Sequence, residues 1–208
     1  MRIHILITAL LATLTCSPTL TTAGVALEYT GGLAVPVGEL NGFYNPGISF
    51  GASMVVALVP HLDIAASAGY GKVVLSEEAV QEHLHISDYQ LASGGDVSAQ
   101  SIGAELRLSF GAPGEFQFWG LGGLGHYRVR ISDRTEIIGG DRMTYNFPDE
   151  NQLGSVLGAG FTYPALEGLE LGAEVRAHMF SLENELRVNR VDESRTMLTI
   201  RFMVRTPL

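Results

Sequence analysis

The sequence predicts an all-β fold, an eight-stranded antiparallel up-and-down transmembrane β-barrel, and three observations predict it. Eight stretches alternate apolar and polar residues with period two, their connections are short and long in strict turn, and charges avoid one parity of the strands. Period two places successive side chains on opposite faces of a strand. Residues 196–205 show the pattern in TMLTIRFMVR, with Leu198, Ile200, Phe202 and Val204 on one face and Thr199, Arg201 and Arg205 on the other.

The runs follow in order. In residues 27–37, Leu27, Tyr29, Leu33, Val35 and Val37 alternate with Glu28, Thr30, Gly32, Ala34 and Pro36. In 47–59, Ile48, Phe50, Ala52, Met54, Val56 and Leu58 oppose Gly47, Ser49, Gly51 and Ser53, and in 62–72, Leu62, Ile64, Ala66, Ala68 and Tyr70 oppose Asp63, Ser67, Gly69 and Gly71. The fourth run, 99–110, sets Ile102, Ala104, Leu106, Leu108 and Phe110 against Ser101, Gly103, Glu105, Arg107 and Ser109. In the fifth, 117–131, Trp119, Leu121, Tyr127, Val129 and Ile131 share a parity, and Gly120, Gly122, His126, Arg128 and Arg130 take the other. The sixth, 155–163, sets Leu157, Ala159, Phe161 and Tyr163 against Gly158, Gly160 and Thr162, and the seventh, 169–180, sets Leu171, Ala173, Val175 and Met179 against Glu170, Gly172, Glu174, Arg176 and His178. Residues 196–205 make the eighth.

Turns at 59–61, 111–115 and 164–168 are short, whereas 38–46, 73–97, 132–152 and 181–194 are long. An even-stranded outer-membrane barrel has short periplasmic turns and long outer loops. The runs are about 9 to 15 residues, and a tilted spanning strand needs about 9–11. Hydrophobic residues are 46% of the chain, yet no internal apolar run reaches the roughly 18 residues of a spanning helix. Membrane crossing falls to the strands.

The 208 residues suit one domain, without a linker-like shift in composition. Residues 1–23 read as a secretory leader: Arg2 and His4, then an apolar run from Ile5, then small residues at Thr21, Thr22 and Ala23. The barrel domain is then 24–208. Cys16, the single cysteine, lies in the leader without the small-residue neighbour a lipidation signal needs, so the body uses neither disulfide nor thiol.

The non-apolar parity carries Glu28, Asp63, Glu105, Glu170 and Glu174 against Arg107, Arg128, Arg130, Arg176, Arg201 and Arg205. Near-balance is what a narrow closed interior requires, because a buried charge is tolerable only when paired. An eight-stranded barrel is just wide enough for side chains to fill it. These residues are therefore expected to form a packed ion-pair ladder, with Gly and Ala leaving room. The formal net charge of −9 comes chiefly from the long connections, so an acidic outer crown is expected and a nucleic-acid footprint is excluded. Lys72 and Arg195 end their strands at the height of outer-leaflet lipid phosphates, although a solvated rim charge is the commoner role.

The stretch 31–72, GGLAVPVGELNGFYNPGISFGASMVVALVPHLDIAASAGYGK, with Gly32, Pro36 and Gly38 and a glycine-rich second hairpin, resembles the opening of the small outer-membrane β-barrel domain family, the OmpA/OmpX-like barrels. The resemblance implies the cell outer membrane of a Gram-negative-type bacterium. The partners that go with that location are outer-membrane lipid and lipopolysaccharide, the barrel assembly machinery during insertion, and an unidentified extracellular partner. The resemblance brings no catalytic residue and no cofactor. Family members usually end the last strand on an aromatic; here Thr206, Pro207 and Leu208 follow Phe202, so either the signal is degenerate or Phe202 carries it.

Chemistry-bearing motifs are sparse. His83 and His85, near Glu77, Glu78 and Asp88, are weak candidates for a borderline metal, although imidazoles in an acidic loop are more often solvated. His178 and Ser181, with Glu183 and Glu185, superficially match a lipid hydrolase, but positions three apart in a strand face opposite ways. The expectation is therefore no enzyme: a structural or surface-interaction barrel. The alternatives are a small channel or solute-binding barrel, and a soluble lipocalin-like barrel with apolar parity inside. Trp119, Phe110, Tyr163 and Tyr29 near one end are expected to form an aromatic girdle, which favours the membrane.

Overall fold

In chain order the strands are β1 (Val25–Val37), β2 (Tyr44–Asn45), β3 (Gly47–Val59), β4 (Leu62–Leu75), β5 (Tyr89–Ser93) and β6 (Val97–Phe110). They continue with β7 (Gln117–Ile131), β8 (Arg134–Ile138), β9 (Asp141–Tyr145), β10 (Glu150–Leu166), β11 (Leu169–Ser181) and β12 (Ser194–Pro207), and helix α1 (Glu77–Leu84) lies between β4 and β5. The computed structural model describes residues 24–85, 89–111, 115–181 and 194–208, without the side chains of Glu39, His83, Leu84, Ser181, Ser194 and Arg195. The expected leader at 1–23 lies outside the described residues.

Strands β1, β3, β4, β6, β7, β10, β11 and β12 close into one antiparallel ring, β12 returning to pair with β1. Closure leaves no unpaired strand edge, which is the condition for strands in hydrocarbon. The short connections turn through left-handed residues, His61 at φ 70°, Gly111 at φ 116° and Gly168 at φ 73°. His61 is held there by its Nδ1, which donates to the Ser109 carbonyl at 3.0 Å.

On the outer wall, Ile48, Phe50, Leu106, Leu124, Leu157 and Phe202 stand exposed in a belt around the ring. A soluble barrel would bury this face, so the lipocalin-like alternative is overturned: the aliphatic parity points out. At the short-turn end Phe110, Phe118 and Tyr163 are outward, and Phe116 stacks on Phe161 at 5.5 Å. Trp119 departs from the expected girdle, being only 3% exposed inside the ring.

The long connections are more than loops. Helix α1 starts at Ser76, whose Oγ accepts the Ala79 N–H at 3.3 Å, with Glu77 and Glu78 in its first turn. Strands β5, β8 and β9 form a separate three-stranded sheet, and Gly139 and Gly140 at φ 59° and 90° make the tight β8–β9 turn. Leu75, Val80 and Tyr89 are the core of this crown, with Phe43, Tyr44, Leu91 and Ile138 packed around them.

Candidate functional site

The inward parity delivers a buried ion network. Arg107 on β6 is wholly enclosed, its Nη1 donating to Glu28 Oε1 at 2.6 Å and Nη2 to Oε2 at 2.9 Å. The two partners lie on strands far apart in sequence, so only the closed ring brings them together. The guanidinium also sits 4.1 Å from the Trp119 ring centroid, which accepts cationic charge on its face. Arg205 reaches Glu28 at 3.8 Å and Glu170 at 3.7 Å near the short-turn end.

A second knot lies above the first. Arg176 Nη1 donates to Glu105 Oε1, which also accepts from Ser67 Oγ at 2.6 Å. Arg176 Nε lies 2.9 Å and Arg201 Nη2 2.8 Å from Glu174 Oε1. Asp63 is held differently from expectation in detail, accepting a hydrogen bond from Ser109 Oγ at 3.0 Å. Small residues make the room: a Cβ on Gly51 would stand 2.7 Å from Arg201 Nη1, and one on Gly160 would stand 2.4 Å from the Trp119 ring.

Towards the long-loop end the lumen changes character. Tyr127 OH lies 3.1 Å from His178 Nδ1, and His178 Nε2 lies 3.3 Å from Thr199 Oγ1. Beyond them Ala34, Val73, Val97, Ala99, Val129, Phe180 and Met197 pack across the interior. Trp119, Leu121, Val156 and Met203 form another apolar cluster on the inner faces of β7, β10 and β12. A void lined by Ser53, Ser67, Ser101, Glu105, Arg176 and His178 measures about 20 Å³, room for about one water. Oil thus covers the ions within the tube.

No family model and no curated protein matches the chain. Among solved structures it is similar to Neisserial surface protein A, at TM-score 0.55 and 16% identity over 88% of this chain and 96% of that one. A major outer membrane protein from Thermus thermophilus superposes at TM-score 0.55 and 14% identity, over 90% of this chain and 100% of that one. OprG from Pseudomonas aeruginosa does so at TM-score 0.50 and 12% identity, over 88% of this chain and 96% of that one. The chain folds as an eight-stranded outer-membrane β-barrel. This is the fold implied by the OmpA/OmpX-like resemblance; the apolar wall requires a bilayer, and the fold is the one bacterial outer membranes hold.

In this outer-membrane barrel the expected ladder needs one correction. Arg128 and Arg130 are outside: their side chains are 56% and 66% exposed, and both approach Asp149, Arg128 through Nε at 3.0 Å and Arg130 through Nε at 3.6 Å. Register decides it, because Ser109, Arg107, Glu105 and Ser101 pair with Trp119, Leu121, Gly123 and Tyr127, so the odd positions of β7 face inward with them. Glycines at 120, 122, 123 and 125 sit on both parities and hide the polarity of this strand. Leu124, outward and on the parity of the arginines, is the residue that signals the true facing.

Of the expected ladder, Glu28, Asp63, Glu105, Glu170 and Glu174 with Arg107, Arg176, Arg201 and Arg205 do face inward, still close to balance. His85 caps α1 in the left-handed region at φ 55°, and the side chain of His83 lies outside the described residues. No group of three His, Cys, Asp or Glu side chains gathers among the described residues. Ser181's side chain, Glu183 and Glu185 likewise lie outside them. The signal for the crown was present in sequence: SEEA is a helix start and IIGGD a hairpin turn.

Proposed function

We propose that this barrel is a sealed outer-membrane scaffold whose lumen is filled with side chains and whose acidic crown meets the surroundings of the cell. The observation that supports this most is the layering of the interior. Paired arginines and carboxylates fill the lower and middle lumen, and the Ala34, Val73, Val97, Val129, Phe180 and Met197 cluster closes it beneath the crown. A conducting path needs continuous wetted polar surface. Here a permeating ion would cross an apolar layer and break buried pairs, each costly to separate.

The work then belongs to the outside. The crown is a folded unit, since Tyr44 packs against both the lumen cap and the crown core. It presents Glu78, Glu82, Asp133 and Asp141, so its partner would carry basic or metal-bridged surface. Outer-membrane lipid, lipopolysaccharide and the assembly machinery complete the set of partners. The reading assigns the chain no reaction and no cofactor.

The test joins two measurements. A heat-dependent mobility shift on a detergent gel, from protein recovered in the outer membrane, reports the closed barrel. Single-channel recording of the same refolded protein should then give no steps. Steady conductance would replace the scaffold with the small-channel alternative and move attention to the Arg176, Glu105 and Arg201 layer.

A further inference from the structure

Among the described residues, the outward positions of the barrel strands carry a lysine or arginine at only three places: Lys72, Arg128 and Arg130. Chance would scatter them around the ring. Instead they stand together, because Lys72 pairs with Ser98 and Ser98 with Arg130 in one lateral row. The adjacent row is Tyr70, Gln100, Arg128 and Asn151. Below these the wall turns to oil within one step, with Ile102 at 73% and Leu153 at 82% exposure on either side of His126. The cations therefore sit at the upper boundary of the hydrocarbon, facing the lipid.

We infer that Lys72, Arg128 and Arg130, with Ser98, Gln100 and Asn151 between them, form a binding site on the barrel wall for the phosphates of an outer-leaflet phosphorylated glycolipid. The inference rests on the outer-membrane reading and the glycolipid partner proposed above, and it gives that partner a place on the wall. Charge, height and orientation each point to that ligand. Guanidinium forks match phosphate oxygens in pairs, and a cation near an anionic membrane surface contributes favourably even when solvated. Tyr70, stacked on Phe50 at 4.8 Å, gives the amphipathic ring that interfaces favour.

Two carboxylates share the site without filling it. Asp149 takes the Nε and Nη2 edge of Arg128, leaving the other donors of that fork, and its contact with Arg130 is long at 3.6 Å. Asp96 accepts from Lys72 Nζ at 2.7 Å. Their effect is to hold three flexible side chains on one face. Three cations against two carboxylates leave net positive charge on a wall whose chain is otherwise acidic, at −9 overall.

The test uses the protein refolded into phosphatidylcholine nanodiscs and titrated with bisphosphorylated lipid A, with bound lipid measured by mass spectrometry. Arg128→Gln with Arg130→Gln should weaken retention by about tenfold, and Lys72→Gln by a smaller factor. Dephosphorylated lipid A should be retained weakly by wild type and variants alike, and excess inorganic phosphate should leave lipid A in place. Equal retention of lipid A by wild type and the double variant would overturn the site, as would indifference to the phosphates. Displacement by inorganic phosphate would make it a free-anion site instead and overturn the lipid assignment. The heat-dependent gel shift of the double variant separates the cases: an intact shift with unchanged lipid binding sinks this site alone, whereas a missing shift in wild type sinks the barrel reading beneath it.

Discussion

The inside and the outside of this barrel both use arginine, and they use it in opposite ways. Arg107, Arg176 and Arg201 are enclosed in the lumen, each against a carboxylate from another strand or from its own. Arg128 and Arg130 stand on the wall, more than half exposed, sharing one Asp149. In the lumen the charge is cut off from bulk solvent and depends on its ion-pair partners, with Arg107 Nε, Arg201 Nε and Glu105 Oε2 left without a hydrogen bond of their own. On the wall, solvent is at hand to share the charge with Asp149. The same side chain is thus a structural element at one radius and a surface for encounter a few ångströms further out.

The largest effect should come from breaking an enclosed pair. Arg107→Ala leaves Glu28 buried without its fork and removes the cation over Trp119, and should cost about 3–5 kcal/mol in urea titrations of the folded protein in vesicles. A loss under about 1 kcal/mol would mean water already enters that layer. Next is an arginine placed where the wall is oil. Ile200→Arg should cost about 2–4 kcal/mol in the same assay, since Ile200 faces out on β12 beside Leu33 and Val175. No change there would put Ile200 above the hydrocarbon or inside the ring.

Removing a wall arginine should matter far less. Arg128→Gln should shift stability by roughly 0–1 kcal/mol, because Arg128 stands more than half exposed in its pair with Asp149. A cost as large as that of Arg107→Ala would erase the distinction between the two faces.

The smallest effect is a pH dependence in the crown. Burial first, and then its hydrogen bond to Glu136 at 3.0 Å, raise the Tyr89 phenol above its ordinary value of 10.0. The folded crown holds that proton more tightly than the unfolded chain does. Its contribution is therefore present below about pH 10 and is lost as pH climbs through the folded value. Hydrogen exchange of β5 and β8 should accelerate above that pH in wild type, and Tyr89→Phe should flatten the response. Identical curves for both proteins would remove Tyr89 from the crown's account.

Much of this was legible from period two alone. Glu28, Glu105, Glu174, Arg107, Arg176 and Arg201 lie inside because a strict alternation leaves them no other face, and the apolar wall follows from the same rule. Strand β7 was misread because its glycines on both parities erase the pattern, and because Trp119 and Tyr127 look like wall residues while serving as partners to Arg107 and His178. The lumen cap was also hidden. Val73 and Val97 lie just beyond the clear runs, and Val129, Phe180 and Met197 are apolar residues on the inward parity, a departure that only the closed ring explains. The crown escaped as a unit because its helix and sheet are assembled across two long connections, although each carries its own start and turn signals.

The facing of β7 is the point on which the lumen and the proposed lipid site both depend, and single-cysteine labelling along it tests that facing directly. The body of the chain has no cysteine of its own, since Cys16 lies in the expected leader. Cysteines at Phe118, Leu124, Arg128 and Arg130, and at Leu121, Tyr127 and Val129, would be probed in vesicles with an environment-sensitive maleimide and with lipid-borne and aqueous quenchers. We expect lipid-borne quenching at 118 and 124, quenching by both agents at 128 and 130, and protection from both at 121, 127 and 129. Lipid-borne quenching at 121 and 127 with protection at 128 and 130 would turn β7 over, return both arginines to the lumen and contradict the division between the two faces.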